Sequence, residues 1–533
     1  MITRPELNRH TSATKAVLIC FLLLFAILSH RILADEAKDI LSRLYSPEQI
    51  AAKTSLESLI ARGQIKAFGL NGVFETQFLA PDKLVTRVNF DDLAFAQVYS
   101  GGEAWIVDQN GAATTLSGME LERLYCSVLL TSGAWLSDTL KSYTRTYLGK
   151  TLFEDVNTGE IERYNLALTS STGSMIELFL DTLTGDIVGT IENFDDVNLT
   201  MTMADFREVA GQRLAYLATV SSNIPQLEME ITVNEYMIDV PIDRSVFEMP
   251  AQTHTDIIWP KQTDSVVIPI EFQNGRIYAR ASVNGSRPLR FILDTGAGIN
   301  IINRPLLETL GLSAIGQIAT KGIAGYDSAG FVKIDTFRVG ELIFRGQTVA
   351  ETDLSASLGL DPDSLGGILG FDFFRSFRVK LDFKNEIMTI WISPGAAVRA
   401  ELAVPMTFIS KIPAIVVSVA GIEGRFLVDL GSDGAVFLNS FFARKIGIDT
   451  LIVESDSYQR TSGIGGSISS RAIILPEMRI GSRIFQNQPA RALEDGPGVA
   501  GSTEIAGLIG TGFLKDFSLV LDYPRKFIYF ISR

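Results

Sequence analysis

Apolar and polar residues alternate with a period of two along much of the first half of the chain, a pattern that predicts β-strands. Six segments carry it most clearly: KLVTRVNF, FAQVYS, EAWIVD, YNLALTS, MIELFLD and LTMTMADF. Turn signals separate the strands, among them Gln-Asn-Gly at 109–111 and Thr-Gly at 184–185. The spacing therefore predicts an antiparallel sheet in this half.

The beginning of this region has a different periodicity. The stretches DEAKDILSRL and SPEQIAAKTSLESLIARG show helical spacing, and Ser46 is a candidate N-cap before Pro47. We therefore predict that residues 35–250 form a β domain with helices at its N-terminal end. A polar linker at 251–265 marks the end of this domain.

The second half contains an internal repeat. The stretch FILDTGAGINII aligns with FLVDLGSDGAVF and places Asp294 on Asp429. The match continues upstream, where VNGSRPLRFIL pairs with VAGIEGRFLV, and downstream, where GGILGFDFF pairs with AGLIGTGFL. A Gly-rich hairpin signal lies between these features in each copy. We therefore predict two copies of one β domain, at 266–395 and 401–533.

Each copy places an aspartate at the end of a buried strand. Gly296 and Gly431 follow these aspartates and allow a tight turn with close backbone approach. Two carboxylates at hydrogen-bond distance cannot both ionise, so together they supply an acid and a base for activating water. This chemistry needs two separate loops, which the repeat provides. A plainer interpretation is a duplicated β domain in which the aspartates are turn residues.

These motifs resemble a known enzyme family. Asp294-Thr295-Gly296-Ala297 with the hairpin KGIAGYDS, and Asp429-Leu430-Gly431-Ser432 with the hairpin SGIGGSIS, are similar to retropepsin-type aspartic protease domains. The resemblance extends from about residue 264 to the C-terminus and implies two barrel-like lobes. It further implies endopeptidase activity on a polypeptide substrate in the cleft between the lobes, with no cofactor and no metal.

The resemblance also implies the roles of individual residues. Asp294 and Asp429 are the expected catalytic carboxylates. Their loops are expected to be supported by Thr295, Gly296, Ala297, Gly431 and Ser432. The expected flap residues are Gly322, Ile323, Gly325, Tyr326, Gly463, Ile464, Gly465 and Gly466.

One residue departs from the family pattern. The family has Thr or Ser after each aspartate, and its hydroxyl links the two loops; this chain has Thr295 in one copy and Leu430 in the other. Leucine has no hydroxyl, so we expect only one of the two hydroxyl links between the loops. Asp433 adds a negative charge expected to raise the pKa of the pair. Ser432 is a candidate donor to the Asp429 carboxylate.

The sequence leaves three arrangements open. In the first, which the repeat favours, Asp294 and Asp429 pair within one chain as an intrachain pseudo-dimer. In the second, two chains form a homodimer through Asp294 and the second copy is degenerate. In the third, the pair is inactive and the cleft holds peptides by strand addition, as in a binding module.

The N-terminus has the features of an export signal. Arg4, Arg9 and Lys15 precede the apolar run AVLICFLLLFAILS at 16–29. We expect residues 1–34 to be a signal peptide or a membrane anchor, and the rest to lie in the periplasm or cell envelope. Net charge is −14, and there is no Lys/Arg run with interleaved aromatic residues, so we expect no nucleic-acid partner.

The region 35–250 resembles the periplasmic lipoprotein-carrier proteins. The similarity lies in the phrases YSGGEAWIVDQNG, IELFLDTLTGDIV, MADFREVAG and DRSVFEMP. It implies a half-barrel that shelters an acyl chain, and therefore a lipid, lipoprotein or hydrophobic peptide as ligand. The alternative is a prosegment or spacer that covers the protease cleft.

Overall fold

We describe the protein from a computed structural model. It describes residues 36–138, 140, 142–155, 159–251, 255–261, 263–358, 365–392, 398, 400–448 and 453–532. The predicted signal or anchor segment at 1–34 lies outside these residues. In the part that is described, no helix is both long and apolar enough to cross a membrane.

The N-terminal domain is built on one antiparallel sheet of thirteen described strands. They are β1 Ser58–Ala67, β2 Leu70–Leu79, β3 Lys83–Phe90, β4 Leu93–Ser100, β5 Glu103–Val107, β6 Ala113–Thr115, β7 Tyr143–Asp155, β8 Gly159–Ser170, β9 Met175–Asp181, β10 Ile187–Phe194, β11 Val197–Val209, β12 Gln212–Ser222 and β13 Met229–Ile238. Two meanders, β1 to β6 and β7 to β13, join where β1 pairs with β13. The predicted antiparallel sheet is therefore confirmed.

Helices cover part of this sheet. Residues 36–44 are helical, and α1 (Pro47–Thr54) and α2 (Met119–Thr131) follow. The predicted N-cap is confirmed: Ser46 Oγ accepts from the Gln49 N–H at 3.2 Å, and Gln49 Oε1 accepts from the Ser46 N–H at 2.8 Å. Short 3-10 turns lie at Ala134–Leu136, Pro225–Leu227, Arg244–Phe247 and, in the second half of the chain, Arg304–Leu306.

One helix prediction was wrong in its extent, and one helix was not predicted. The helical spacing of SPEQIAAKTSLESLIARG was expected to continue to its end, but α1 stops at Thr54 and SLIARG is the start of β1. This segment lies between β2 and β13, which satisfy its backbone groups on both sides, so sheet pairing overrides local periodicity. Helix α2 was not predicted; it packs Val128 against the sheet and begins with two acidic residues in its first turn.

The second half contains two lobes with the same strand plan. Lobe 1 contains β14 Ile257–Ile258, β15 Val266–Gln273, β16 Arg276–Val283, β17 Leu289–Leu293, β18 Ile301–Asn303, β19 Ala314–Gly322, β20 Gly325–Val339, β21 Leu342–Thr352, β22 Leu365–Leu369, β23 Arg378–Asp382 and β24 Ile387–Trp391. Lobe 2 contains β25 Leu402–Pro405, β26 Thr407–Ile409, β27 Ile412–Val419, β28 Ile422–Asp429, β29 Val436–Leu438, β30 Val453–Gly463, β31 Gly466–Ile480, β32 Arg483–Leu493, β33 Gly507–Gly510, β34 Phe517–Asp522 and β35 Phe527–Ser532. Short helices lie at Leu307–Leu310, Leu354–Leu358, Phe371–Phe374, Ser440–Lys445 and Thr511–Leu514.

The repeat seen in the sequence is a repeat of topology. In lobe 1, β17 runs parallel to β22, and β18 runs parallel to β21. In lobe 2, β28 runs parallel to β33, and β29 runs parallel to β32. The predictions of a mostly β fold and of two copies of one β domain in this half are therefore confirmed.

The lobes are joined by a shared sheet with the order β15-β24-β23-β34-β35-β25. At its centre β23 of lobe 1 pairs antiparallel with β34 of lobe 2, which places Arg378 opposite Asp522. These side chains form a buried ion pair, with Arg378 Nε 3.0 Å from Asp522 Oδ2. One continuous apolar core extends through both lobes. The two lobes are thus fixed relative to each other.

The N-terminal domain packs against both lobes. Asn110 makes two hydrogen bonds with the backbone of Thr348 in lobe 1, at 2.8 and 2.9 Å. Asp108 forms an ion pair with Lys411 of lobe 2, and both side chains are almost fully buried. Phe95 of the sheet packs against Phe331 of lobe 1. The interface therefore contains both apolar and charged contacts.

Candidate active site

The two aspartates of the repeat end equivalent buried strands. Asp294 follows β17, and its N–H donates to the carbonyl of Leu369 in the parallel strand β22 at 3.0 Å. Asp429 is the last residue of β28, which pairs in the same way with β33. Because each strand is held on both sides by its lobe, the two loops are presented rigidly at the interface between the lobes.

The carboxylates lie against the glycines of the opposite loops. A Cβ atom added to Gly431 would lie 2.4 Å from Asp294 Oδ2, and one added to Gly296 would lie 2.6 Å from Asp429 Oδ1. Any side chain at either glycine would therefore displace the opposite carboxylate. The structure brings Asp294 and Asp429 together within one chain, as in the first of the three arrangements.

Hydrogen bonds hold each carboxylate in its own loop. Asp294 Oδ1 accepts from the Gly296 N–H at 2.7 Å, and Asp429 Oδ1 accepts from the Gly431 N–H at 2.8 Å. The Ser432 N–H also donates to Asp429 Oδ1, at 3.1 Å. Ser432, predicted as a donor to the Asp429 carboxylate, thus donates through its backbone N–H. Ala297 closes the first loop, because its N–H donates to the Asp294 carbonyl at 3.3 Å.

The environment makes ionisation of the pair unfavourable. Burial, and then the charge of Asp429, raises the pKa of Asp294 well above its ordinary value. Burial also raises the pKa of Asp429, although hydrogen bonds from Asp294 and from the Gly431 and Ser432 N–H groups lower it. The charge of Asp433 raises it further, in the direction expected from the sequence. Two carboxyl groups coupled in this way titrate as a unit, and the environment favours a state in which they share one proton.

A single hydroxyl links the two loops. Thr295 Oγ1 donates to the carbonyl of Val428 at 2.6 Å and accepts from the N–H of Leu430 at 3.0 Å. Thr295 and Leu430 are both fully buried, and the Leu430 side chain is part of the apolar core. The link is therefore made from lobe 1 to lobe 2, and Leu430 contributes packing in place of a second hydroxyl.

Two hairpins lie over the aspartates and cross at their tips. We call the hairpin of β19 and β20 flap 1, and the hairpin of β30 and β31 flap 2; Gly322 pairs with Gly325 in flap 1, and Gly463 with Gly466 in flap 2. A Cβ atom on Gly322 would lie 1.8 Å from the carbonyl oxygen of Ile464. The flaps are thus closed on each other in this structure.

The closed flaps enclose a cavity of about 160 Å³ that both aspartates line. One wall comes from a lobe 1 cluster extended by the tip of flap 2: Ile292, Leu358, Ile368 and Ile464. The other wall comes from a lobe 2 cluster extended by the tip of flap 1: Ile323, Ile412, Leu427, Phe437, Val499 and Leu508. Arg276, Lys321 and Asp433 also line the cavity. Apolar side chains therefore flank the carboxylates on both sides.

Sequence reasoning missed two groups of residues near flap 1. The segment 498–500 of lobe 2 pairs with it, since the N–H groups of Val499 and Ala500 donate to the carbonyls of Gly322 and Ile323 at 3.1 and 3.2 Å. The turn at 195–196 of the N-terminal domain also contacts flap 1. Gly-Pro-Gly at 496–498 is an evident turn signal, but neither segment carries a pattern that indicates its partner.

Both lobes match a known protein family. Residues 279–373 and 415–513 each match the aspartyl protease family. Each lobe is thus an aspartyl-protease-like domain. Both matched ranges contain one aspartate of the pair and its following glycine. No curated protein matches the chain.

Three solved structures show low similarity to the chain. An aspartic proteinase from Irpex lacteus is 13% identical, covers 50% of this chain and 97% of its own, and has a TM-score of 0.33. A DUF1329 family protein from Desulfovibrio piger is 14% identical and covers 40% of this chain and 97% of its own, with a TM-score of 0.30. A domain described as an outer membrane lipoprotein-sorting protein, from Vibrio parahaemolyticus, is 11% identical and covers 40% and 97%, with a TM-score of 0.29.

The donor set around the pair is made of carboxylates and backbone amides. Among the residues that the structure describes, no group of three or more His, Cys, Asp or Glu is placed to hold a metal ion. What the arrangement offers chemically is a pair of partly buried carboxyl groups that favours a shared proton, beneath two flaps that contact each other.

Proposed function

We propose that the protein is an exported aspartic endopeptidase. The observation that carries the proposal is the reciprocal fit of Asp294 and Asp429 against Gly431 and Gly296, which brings two partly buried carboxyl groups within hydrogen-bond reach of each other. Such a pair binds a water molecule, and one carboxylate removes its proton while the other protonates or polarises the scissile carbonyl. Because the pair titrates as a unit, the two roles are not divided between the residues in advance.

The apolar walls of the cavity are suited to an extended polypeptide with apolar side chains. A polypeptide in extended form would lie between the carboxylates and the flaps, and its side chains on either side of the scissile bond would enter the two apolar walls. We therefore propose preference for apolar residues around the cleaved bond. The proposed location is the periplasm or cell envelope; the basic and apolar segment at the N-terminus supports it.

The first test is cleavage of a peptide library by the purified protein, from acidic to neutral pH. We expect Asp294→Asn and Asp429→Asn each to reduce kcat by about 10²- to 10⁴-fold or more, because each removes one member of the acid–base pair. Asp433→Asn is the matched control: it also lines the cavity, and it should keep most of the activity at its optimal pH, with the pH profile moved to lower pH because the Asp433 charge no longer raises the pKa of Asp429.

The outcomes separate the three arrangements. Loss of cleavage activity in both variants supports the intrachain pair. Loss of activity with Asp294→Asn alone would instead mean a homodimer through the first lobe. If the unmodified protein cleaves nothing at any pH, the endopeptidase proposal is wrong and the cleft is a peptide-binding site.

A further inference from the structure

A turn of the N-terminal domain holds flap 1. Strands β10 and β11 are joined by Asp195 and Asp196, and both carboxylates accept hydrogen bonds from the protease-like lobes. Asp195 Oδ2 accepts from Lys321 Nζ of flap 1 at 2.8 Å, and its Oδ1 accepts from the Thr503 N–H of lobe 2 at 3.0 Å. One side chain thus connects the first domain to both lobes.

The second carboxylate repeats the arrangement. Asp196 Oδ2 accepts from the Gly498 N–H of lobe 2 at 3.0 Å, and its Oδ1 accepts from the Tyr326 hydroxyl of flap 1 at 3.3 Å. Burial, and then the charge of Asp196, raises the pKa of Tyr326, which keeps the phenol protonated as a donor. Gly498 is the first residue of the segment 498–500 that pairs with flap 1, so this contact joins three parts of the molecule.

Asp195 and Asp196 make contacts that a hairpin turn by itself does not require. Aspartate is common in such turns, and Asp195 has φ 48°, a conformation that Asp tolerates well. A turn residue in that role would be exposed, however, and the Asp195 side chain is only 7% exposed. All four donors described above belong to the protease lobes rather than to the domain that carries the turn.

Flap 1 has to move if a polypeptide is to enter. The cavity beneath the closed flaps is about 160 Å³, whereas ligand pockets usually span roughly 300–1,000 Å³. The flap tips also cross so closely that no chain can pass between them. Opening flap 1 separates Lys321 and Tyr326 from the two aspartates, because these residues lie on the flap and the aspartates do not.

We propose that the Asp195–Asp196 turn is a latch, by which the N-terminal domain holds flap 1 closed and controls entry of polypeptide to the cleft. Opening then requires the breakage of the two hydrogen bonds between this turn and flap 1, one of them charge-paired, as well as the two backbone hydrogen bonds from Val499 and Ala500. The part of the proposal that concerns substrate entry rests on the proposed endopeptidase function. The mechanical part, the restraint of the flap, stands on the contacts alone.

The latch is tested by removing both carboxylates. We expect Asp195→Ala with Asp196→Ala to accelerate hydrogen–deuterium exchange in residues 318–327 by about tenfold or more, since each charged hydrogen bond contributes materially to closure. Asp195→Asn with Asp196→Asn is the isosteric version for the case in which the alanine variant folds poorly. Asp92→Ala is the matched control, because it breaks an ion pair from the same domain to Lys333, which lies on β20 away from the flap tip and opposite Thr348 of β21.

Cleavage supplies the second readout. If the protein is a peptidase, removing the latch should raise kcat/KM for a long peptide by several-fold. A disulfide between Asp195→Cys and Thr503→Cys should keep the turn docked and lower cleavage, with recovery on reduction. The Asp195→Cys single variant controls for loss of the carboxylate.

The results separate the two proposals. Unchanged flap exchange in both latch variants, or exchange equal to that of the Asp92→Ala control, would overturn the latch even if the protein cleaves peptides well. Accelerated flap exchange in a protein that cleaves nothing would support the latch and reject the peptidase function. Accelerated exchange with unchanged kcat/KM would show that flap 1 does not limit entry, and would reject control of the cleft.

Discussion

Thr295 makes the whole hydroxyl link between the two active-site loops. In a symmetrical pair each loop would contribute one hydroxyl, but the place of the second is taken by Leu430, which lies in the apolar core. The link is retained because one hydroxyl can donate and accept at once, and Thr295 does both. The geometry of the pair therefore depends on a single side chain.

This dependence predicts an asymmetric response to substitution. Thr295→Val keeps the shape of the side chain but leaves the Val428 carbonyl and the Leu430 N–H without their partner. We expect a loss of about 1–3 kcal/mol in the free energy of unfolding, and a fall in kcat from a less rigid pair. Urea denaturation and steady-state kinetics measure the two effects. Thr295→Ser retains the hydroxyl and should stay near the unmodified protein; equal losses in both variants would contradict this role.

The raised pKa of Asp294 predicts how stability varies with pH. A carboxyl whose pKa is higher in the folded than in the unfolded state stabilises the fold while protonated, and this contribution is lost as pH rises through the folded pKa. Asp294→Asn cannot ionise, so its melting temperature should exceed that of the unmodified protein increasingly as pH rises from acidic to neutral. A difference that is constant over pH would be evidence against the raised pKa. Activity of the unmodified protein should fall over the same interval, as the shared proton is lost.

At the scale of elements, the flaps show why glycine is required at one tip and not at the corresponding place of the other. A Cβ atom on Gly322 would meet the backbone of flap 2 at 1.8 Å, whereas one on Gly463 would meet only the Ile323 side chain at 3.2 Å. The two hairpins look alike in the sequence, but they cross asymmetrically in space. Only their packing distinguishes the two glycines.

The asymmetry gives a matched pair of variants. We expect Gly322→Ala to prevent closure of the flaps and, under the proposed endopeptidase function, to reduce kcat/KM by about tenfold or more, because closed flaps would hold the substrate. Gly463→Ala, the same change in flap 2, should lower kcat/KM by no more than about twofold, because its Cβ atom would meet only the Ile323 side chain. Similar kcat/KM values for the two variants would show that the crossing seen here is not the working arrangement.

At the scale of the whole molecule, the N-terminal domain is attached by a buried charge pair. Asp108 and Lys411 have side chains that are 3% and 12% exposed, and Lys411 also lies over the ring of Phe371 in lobe 1. The pair thus lies where all three domains meet. The net stabilisation that a buried ion pair provides is small. Removing one partner is costly, because the other charge is then left unpaired in the interior.

This junction predicts a large effect from a single change. Lys411→Met should lower the free energy of unfolding by about 3–5 kcal/mol, because it leaves Asp108 buried without its partner. Lys411→Met with Asp108→Asn should regain much of the loss. Denaturant titrations measure both, and Asp92→Ala, which breaks an exposed interdomain pair, should cost about 1 kcal/mol or less. A loss for Lys411→Met as small as that of Asp92→Ala would mean that the junction is hydrated.

The sequence by itself determined the features that depend on neighbours in the chain. The alternation of apolar residues predicts the strands, Ser46 predicts a helix start, and the repeat aligns Asp294 with Asp429. These signals are local or are copied within the chain, so pattern alone carries them. The tertiary structure decided the rest: SLIARG is a strand because β2 and β13 flank it, and Asp195 faces flap 1 because two domains dock. Contacts between distant segments leave no periodicity in either segment, since each partner is chosen by shape and charge in space.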